Sequence, residues 1–209
     1  MTGGDTFLYS NFILDRDAPR LVGDFTRTIT RETGYQAMMK VRCSNGLHTA
    51  DYDGNFFQRK PTEIEFGTID ADKAVVVKFK HEGKLERKPD VVFQSALLYT
   101  TATGERRVRV QNISAGATNE VVDVFKAADE DAIVVTIAKE ASYKMLTRTS
   151  REVREGISDK CIKILAAYRK YHGSGAQQGQ LVLPDRLKLF PLYILGLLKT
   201  RAFRGSKRF

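Results

Sequence analysis

The 209-residue chain has no tryptophan, two cysteines and three histidines. Cys43 and Cys161 lie far apart, which excludes a disulfide-rich secreted scaffold and any four-cysteine zinc site. His48, His81 and His172 are equally scattered, with no cysteine or carboxylate at ligand spacing, so the pattern speaks against a metal centre. Met1 to Thr6 has neither the basic start nor the apolar run of a secretory leader. Long hydrophobic stretches are missing too. The longest, Leu189 to Leu198, contains Pro191 and Gly196 and is too short to span a bilayer. No glycine-rich stretch matches a phosphate-binding loop: Gly173 to Gly179 lacks the Lys-Ser/Thr that should follow. No serine sits in a Gly-x-Ser-x-Gly elbow. Taken together, these absences leave no enzyme motif.

What is present is an ordinary globular balance, with 42% hydrophobic and 10% aromatic residues, long enough for one or two domains. The 34 basic and 25 acidic residues give a net charge of +9, and its distribution is uneven. Met1 to Leu146 holds 20 basic and 21 acidic residues, whereas Thr147 to Phe209 holds 14 and 4. The whole excess lies in the last third. Such segregation suits an anionic partner, whether nucleic acid, a membrane surface or an acidic protein, or else a solvated helical face with a basic tail at Lys199 to Phe209.

Periodicity predicts the elements. Phe7 to Phe12 reads as a short strand and Asp15 to Pro19 as a turn. Leu21, Val22, Phe25 and Ile29 predict a helix from Pro19 to Thr33, with Gly34 as its stop. From Met39 the period becomes two: Met39, Val41 and Cys43 alternate with Lys40, Arg42 and Ser44, a half-buried strand with two cations on its polar face. Asn45-Gly46 and Asp53-Gly54 mark turns. Asn55 to Arg59, Glu63 to Ile69, Ala74 to Lys80, Val91 to Thr101 and Arg106 to Asn112 read as further strands, with Thr103-Gly104 turning between the last two. Short strands separated by turn signals predict an antiparallel sandwich or barrel. Beyond Ala117 the pattern turns helical: one helix capped by Asn119 and continuing through the buried run Ile133 to Ile137, a second from Ser150 along Val153, Ile157, Cys161, Ile164, Leu165 and Tyr168, a glycine-rich loop at Gly173 to Gly179, and a last helix from Pro184 to Lys199 that Pro191 either starts or kinks. Segregated β and α runs predict an α+β chain of two units joined near Gly116.

Candidate chemistry is sparse. Both cysteines fall on apolar faces and read as packing residues. The pairs Glu63/Glu65 and Asp70/Asp72 have the residue types for acid–base work, but nothing else converges on them. Arg106, Arg107 and Arg109 beside Tyr99, with the basic end, keep a nucleic-acid-binding module as an alternative. The arginines on the Arg107/Arg109 face have Glu63, Glu65 or Glu105 as possible ion-pair partners.

Several strings recur together in one order: Gly3-Gly4 before an aromatic segment; Leu21 to Arg31; Thr33-Gly34-Tyr35-Gln36-Ala37-Met38-Met39-Lys40-Val41-Arg42-Cys43; Gly54-Asn55-Phe56-Phe57; Phe93 to Thr100; Gly104-Glu105-Arg106-Arg107-Val108-Arg109-Val110; Ala167-Tyr168-Arg169; and Leu187 to Lys199. As a set, over nearly the whole chain, they resemble the Sec twenty-four family, the cargo-adaptor subunit of the COPII inner coat. The resemblance implies an antiparallel β-sandwich followed by an all-helical domain, preceded by a strand and helix from the end of a von Willebrand-like trunk. The implied boundaries are 1–34 for the trunk end, 35–117 for the sandwich and 118–209 for the helical domain. A zinc finger, most of the trunk and a gelsolin-like domain are expected outside this chain, so no cofactor is expected within it. An earlier segment that adds strands to the sandwich is expected outside as well, leaving a sheet edge unpaired.

The resemblance also implies a role. It points to a non-enzymatic coat component on the cytosolic face of the endoplasmic reticulum and on COPII-coated vesicles, selecting cargo for transport to the Golgi. The implied partners are a Sec twenty-three subunit as heterodimer, the cytosolic tails of cargo membrane proteins, a Sar-type GTPase indirectly, and anionic membrane; nucleic acid is not among them. The paralogous Sec twenty-three subunit, which stimulates that GTPase, is the near alternative. In the family, basic residues on the strand of Lys40 and Arg42 line a site for acidic export signals. The family usually has Arg-x-Arg there; Lys40 in the first place replaces a bidentate contact by a point charge. Lys199, Arg201 and Arg204 are the candidates for facing anionic membrane.

Overall fold

The alternation that begins near Met39 becomes the middle strand of a sheet. This strand, β1 (Thr33–Cys43), pairs antiparallel with β4 (Glu63–Asp70) on one side and β6 (Asp90–Thr100) on the other. The outer strands β3 (Phe57–Lys60) and β7 (Arg106–Gly116) complete the five-stranded order β3-β4-β1-β6-β7. A second, two-stranded sheet pairs β2 (Leu47–Asp53) with β5 (Val76–His81). The computed structural model describes residues 3–83, 85, 90–172 and 182–204. The chain divides into two units, Met1–Gly116 and Ala117–Phe209.

The first unit buries Ala37 and Val41 of β1, Tyr52 of β2, and Ile64 and Phe66 of β4, with Met39, Val77, Phe79 and Leu97 packed against them. This is the antiparallel sandwich that the alternation predicts. Gln36, at φ +48, forms a β-bulge: the β1–β6 register shifts between Tyr35 and Met38. The bulge lets Gly34 and Ala37, three residues apart, both point inward. A Cβ at Gly34 would lie 2.8 Å from the Tyr99 ring and 2.9 Å from Ile69, so this glycine permits close packing inside the sandwich and does not end a helix. The Asn45-Gly46 turn has Gly46 at φ +88, open to glycine without strain.

Three expectations for the first unit are corrected. Phe7 to Phe12 is not a strand: among the described residues no strand pairs with it, and Asn11 breaks the extension at φ +51. Asp15 to Pro19 is not a turn but the opening of α1 (Leu14–Thr30), which starts and ends earlier than the predicted 19–33. The Asp17 carboxylate fixes that start. It accepts the Ile13 N–H at 2.8 Å, and Arg16 donates to it at 2.7 Å. These bonds satisfy an orphan donor of the helix end and lower the Asp17 pKa to about 2. Finally, β2 went unread in the sequence because its side chains Thr49, Ala50 and Asp51 interrupt any apolar alternation.

The second unit is helical. The predicted first helix is two: α2 (Val121–Lys126) and α3 (Glu130–Lys144). Asn119 is not the cap: α2 follows Glu120 with no side-chain cap bond, and α3 has its own cap in Asp129, whose carboxylate accepts the Ala132 N–H at 3.0 Å and so starts a new helix inside the periodic stretch. Ile133 to Ile137 is helical, with Ile137 buried. α4 (Ser150–His172) opens on a reciprocal cap in which Glu152 accepts the Thr149 N–H at 2.9 Å, holding the Glu152 pKa below its ordinary value. The buried stripe of α4 is Val153, Ile157, Cys161 and Tyr168, with Ile164 and Leu165 partly covered. A short 3-10 turn over Asp185–Leu187 precedes α5 (Phe190–Lys199), and Pro191 lies in the first turn of α5, so it starts the helix and does not kink it. The predicted loop at 173–179 lies outside the described residues. Among the described residues, no helix is long and apolar enough to cross a membrane.

Candidate functional site

Strand parity places the two sequence-singled cations together. With Ala37, Met39, Val41 and Cys43 turned toward the second sheet, Lys40 and Arg42 stand on the opposite face of β1. Register supplies their neighbours. Lys40 lies opposite Glu63 on β4 and Ala96 on β6, and Arg42 lies opposite Gln94 on β6. Gln94 Nε2 donates to Asn112 Oδ1 of β7 at 2.9 Å. The same face carries an apolar row one step along, where Met38 stands opposite Leu98 and Leu98 opposite Val108.

The electrostatics of this face are mixed. Lys40 Nζ is 3.1 Å from Glu63 Oε1, and Lys60 Nζ is 3.4 Å from Glu63 Oε2. Arg59 Nε is 2.9 Å from Glu65 Oε1. The Lys40 hydrogen bond is the main influence holding the Glu63 pKa below its ordinary value. Arg42 is exposed, and among the described residues it has no ion pair. Sequence reasoning singled out Glu63 and Glu65 but did not place them here. Their alternation with buried Ile64 and Phe66 signals a shared outward face; only the antiparallel pairing of β1 with β4 says which cations they meet.

The remaining candidates do not converge on this face. Arg107 pairs with Glu105 at 2.5 Å rather than with Glu63 or Glu65, because β7 is separated from β4 by two strands. Arg106 donates to Thr100 Oγ1 at 2.7 Å and to the Gln36 carbonyl at 3.2 Å, bracing the bulge. Asp70 and Asp72 serve as anchors for α1 through Arg31 and Arg27. Burial raises the thiol pKa of both Cys43 and Cys161, consistent with packing roles. Among the described residues, no group of histidine, cysteine and carboxylate side chains is arranged to hold a metal ion. In the second unit, Lys199 ends α5, and Arg201 and Arg204 follow it, all three exposed. Arg204 donates to the Lys199 carbonyl at 3.3 Å.

Comparison with known proteins converges on one family. The Sec23/Sec24 beta-sandwich domain model matches residues 34–118, and the Sec23/Sec24 helical domain model matches residues 129–208. Among curated proteins, the chain is 43% identical over 207 residues to protein transport protein SEC24 B of Arabidopsis thaliana, covering 99% of this chain and 19% of that protein. It is 34% identical over 200 residues to human protein transport protein Sec24C, covering 96% of this chain and 18% of that protein. The chain thus spans about a fifth of the length of these relatives. The crystal structure of the human COPII-coat protein Sec24c superposes with a TM-score of 0.87 at 32% identity, covering 100% of this chain and 28% of that one. These are coat and transport proteins by name. With both domain types matched in order and the fold shared throughout, the chain belongs to the Sec23/Sec24 family, on the Sec24 side.

Proposed function

We propose that this chain forms the part of a COPII cargo adaptor that reads acidic sorting signals on the cytosolic tails of membrane proteins leaving the endoplasmic reticulum. The observation that carries the reading is Arg42, an exposed guanidinium without an ion-pair partner among the described residues, two residues from Lys40 on one open sheet face. Arg suits planar, bidentate recognition of a carboxylate, and Lys40 adds a point charge. Residues i and i+2 of an extended strand lie about 7 Å apart, the same spacing as two acidic residues separated by one in an extended peptide. The neighbouring row of Met38, Leu98 and Val108 offers apolar contact to such a peptide.

The test is replacement of Lys40 and Arg42 by Ala in the full-length protein, followed by binding of a di-acidic tail peptide at physiological salt. Loss of charge-assisted contacts is expected to weaken binding about tenfold or more. Unchanged binding overturns the reading.

The wider setting belongs to the same proposal. The coat works on the cytosolic face of the endoplasmic reticulum as a heterodimer with a Sec23-type subunit, and engages a Sar-type GTPase through that partner. Lys199, Arg201 and Arg204, exposed at and beyond the end of α5, are our candidates for meeting anionic membrane, each contributing about 1 kcal/mol near such a surface and less as salt rises. The outward apolar stripe of α1, with Leu14, Val22, Phe25 and Ile29 all more than 60% exposed, fits a helix that packs on a preceding trunk, as the 1–34 assignment supposes. An apolar groove of about 400 Å³ lined by Met39, Phe66, Val77, Phe79 and Leu97 fits strands contributed by an earlier segment.

A further inference from the structure

The face that carries Lys40 and Arg42 also carries its own anions. Glu63 and Glu65 project from β4 beside β1. Glu63 is the better enclosed: its side chain is 14% exposed, against 43% for Lys40. One of its oxygens lies 3.1 Å from Lys40 Nζ and the other 3.4 Å from Lys60 Nζ, so a single carboxylate engages two ammonium groups. Glu65 engages the single guanidinium of Arg59 at 2.9 Å. Arg42, one step further along β1, lies beyond this pair and faces Gln94, whose amide is bonded to Asn112. The two cations of the proposed site are therefore unequal. Among the described residues Arg42 has no ion pair, whereas Lys40 is already engaged by a carboxylate of its own sheet.

We propose that Glu63 is a built-in competitor for the Lys40 ammonium that keeps acidic ligands weakly and reversibly bound. This rests on the reading of Lys40 and Arg42 as the ligand site. A first ligand carboxylate meets Arg42 without displacing an ion pair from any described residue. A second reaches Lys40 only by sharing or displacing Glu63, so its gain is the difference between two similar ion pairs rather than a full one. The negative charge of Glu63 also opposes the approach of that second carboxylate. An adaptor that must release its ligand is served by such a tempered site, and the tempering residue lies on the neighbouring strand, outside the stretch that supplies the cations.

The experiment uses the full-length protein, a synthetic peptide containing Asp-Xaa-Glu, and fluorescence anisotropy at physiological salt. Glu63→Gln keeps the shape and removes the charge. It is expected to tighten binding about two- to fivefold, the equilibrium equivalent of an exposed ion pair. The gain is expected to disappear when Glu63→Gln is made in a Lys40→Ala background, because competition for Lys40 then has no object. Unchanged or weaker binding in Glu63→Gln, with an unchanged melting temperature, overturns the inference. A gain that persists in the Lys40→Ala background overturns it too, by showing that Glu63 acts through general repulsion. Failure of the underlying reading is read elsewhere, as unchanged binding in the Lys40→Ala/Arg42→Ala protein.

Discussion

The helical unit buries one stripe on each of its three longest helices, whereas the sandwich unit leaves a whole edge strand and the apolar side of α1 uncovered. In the helical unit Leu187 and Phe190 are wholly buried, and Val153, Ile157, Ile194 and Phe203 are at most 3% exposed. The long helix α4 meets α2, α3 and α5, so the inward stripes find neighbours from the same unit, while Leu192 and Leu195 on the other side of α5 stay 60% and 47% exposed. In the sandwich unit β7 is exposed along its whole length, with Val108 and Ile113 about two-thirds accessible. A two-stranded sheet is too narrow to cover a five-stranded one. On α1 the polar side is tied to the sheet, through Arg27 with Asp72 and Arg31 with Asp70, while the apolar side is turned outward. The difference teaches that periodicity specifies a face, but coverage of that face depends on how many layers the same unit provides.

The comparison can be broken at its strongest point first. Phe190→Ala opens a cavity in a closed helical core and is expected to cost about 3–5 kcal/mol in urea unfolding followed by circular dichroism. A loss under 1 kcal/mol would mean that the helical core is as open as the sandwich. Next is the latch that closes this unit. Arg154 Nη1 donates to the Leu198 carbonyl at 2.6 Å and the Phe203 carbonyl at 3.1 Å, and Ser150 adds a bond to Phe203 at 3.3 Å. Arg154→Met leaves partly buried carbonyls without their donor, and a loss of about 1–3 kcal/mol is expected by the same measurement. The smallest effect sharpens the contrast. Ile113→Thr on the open β7 is expected to stay within about 0.5 kcal/mol. A loss approaching that of Phe190→Ala would show that the β7 face is covered after all.

Much of the fold was legible because its signals are local. The stripe of α4 could be read at helical spacing, and Val153, Ile157, Cys161 and Tyr168 are all buried. The parity of β1 fixed the common face of Lys40 and Arg42, since a strand has period two whatever it pairs with. Failures came where a side chain acts on the backbone nearby or where a partner strand decides. Asp17 and Asp129 each start a helix inside stretches that composition alone reads otherwise. The segment Phe7 to Phe12 has strand-like residues but, among the described residues, no strand to pair with, and without a partner a strand has no ladder. β2 has a ladder partner in β5 but no apolar alternation to announce it.

The candidate site divides along the same line. By itself, the sequence determined the family, the order of a β block before a helical block, the outward pairing of Lys40 with Arg42, and the outward pairing of Glu63 with Glu65, because each follows from residue identity and local period. The tertiary structure alone decided that Glu63 lies against Lys40 while Arg42 has no ion pair among the described residues. That outcome depends on the antiparallel register of β1 with β4, in which Lys40 faces Glu63. Local alternation decides which face each side chain takes, but which residue sits opposite which is fixed only when two strands far apart in the chain pair.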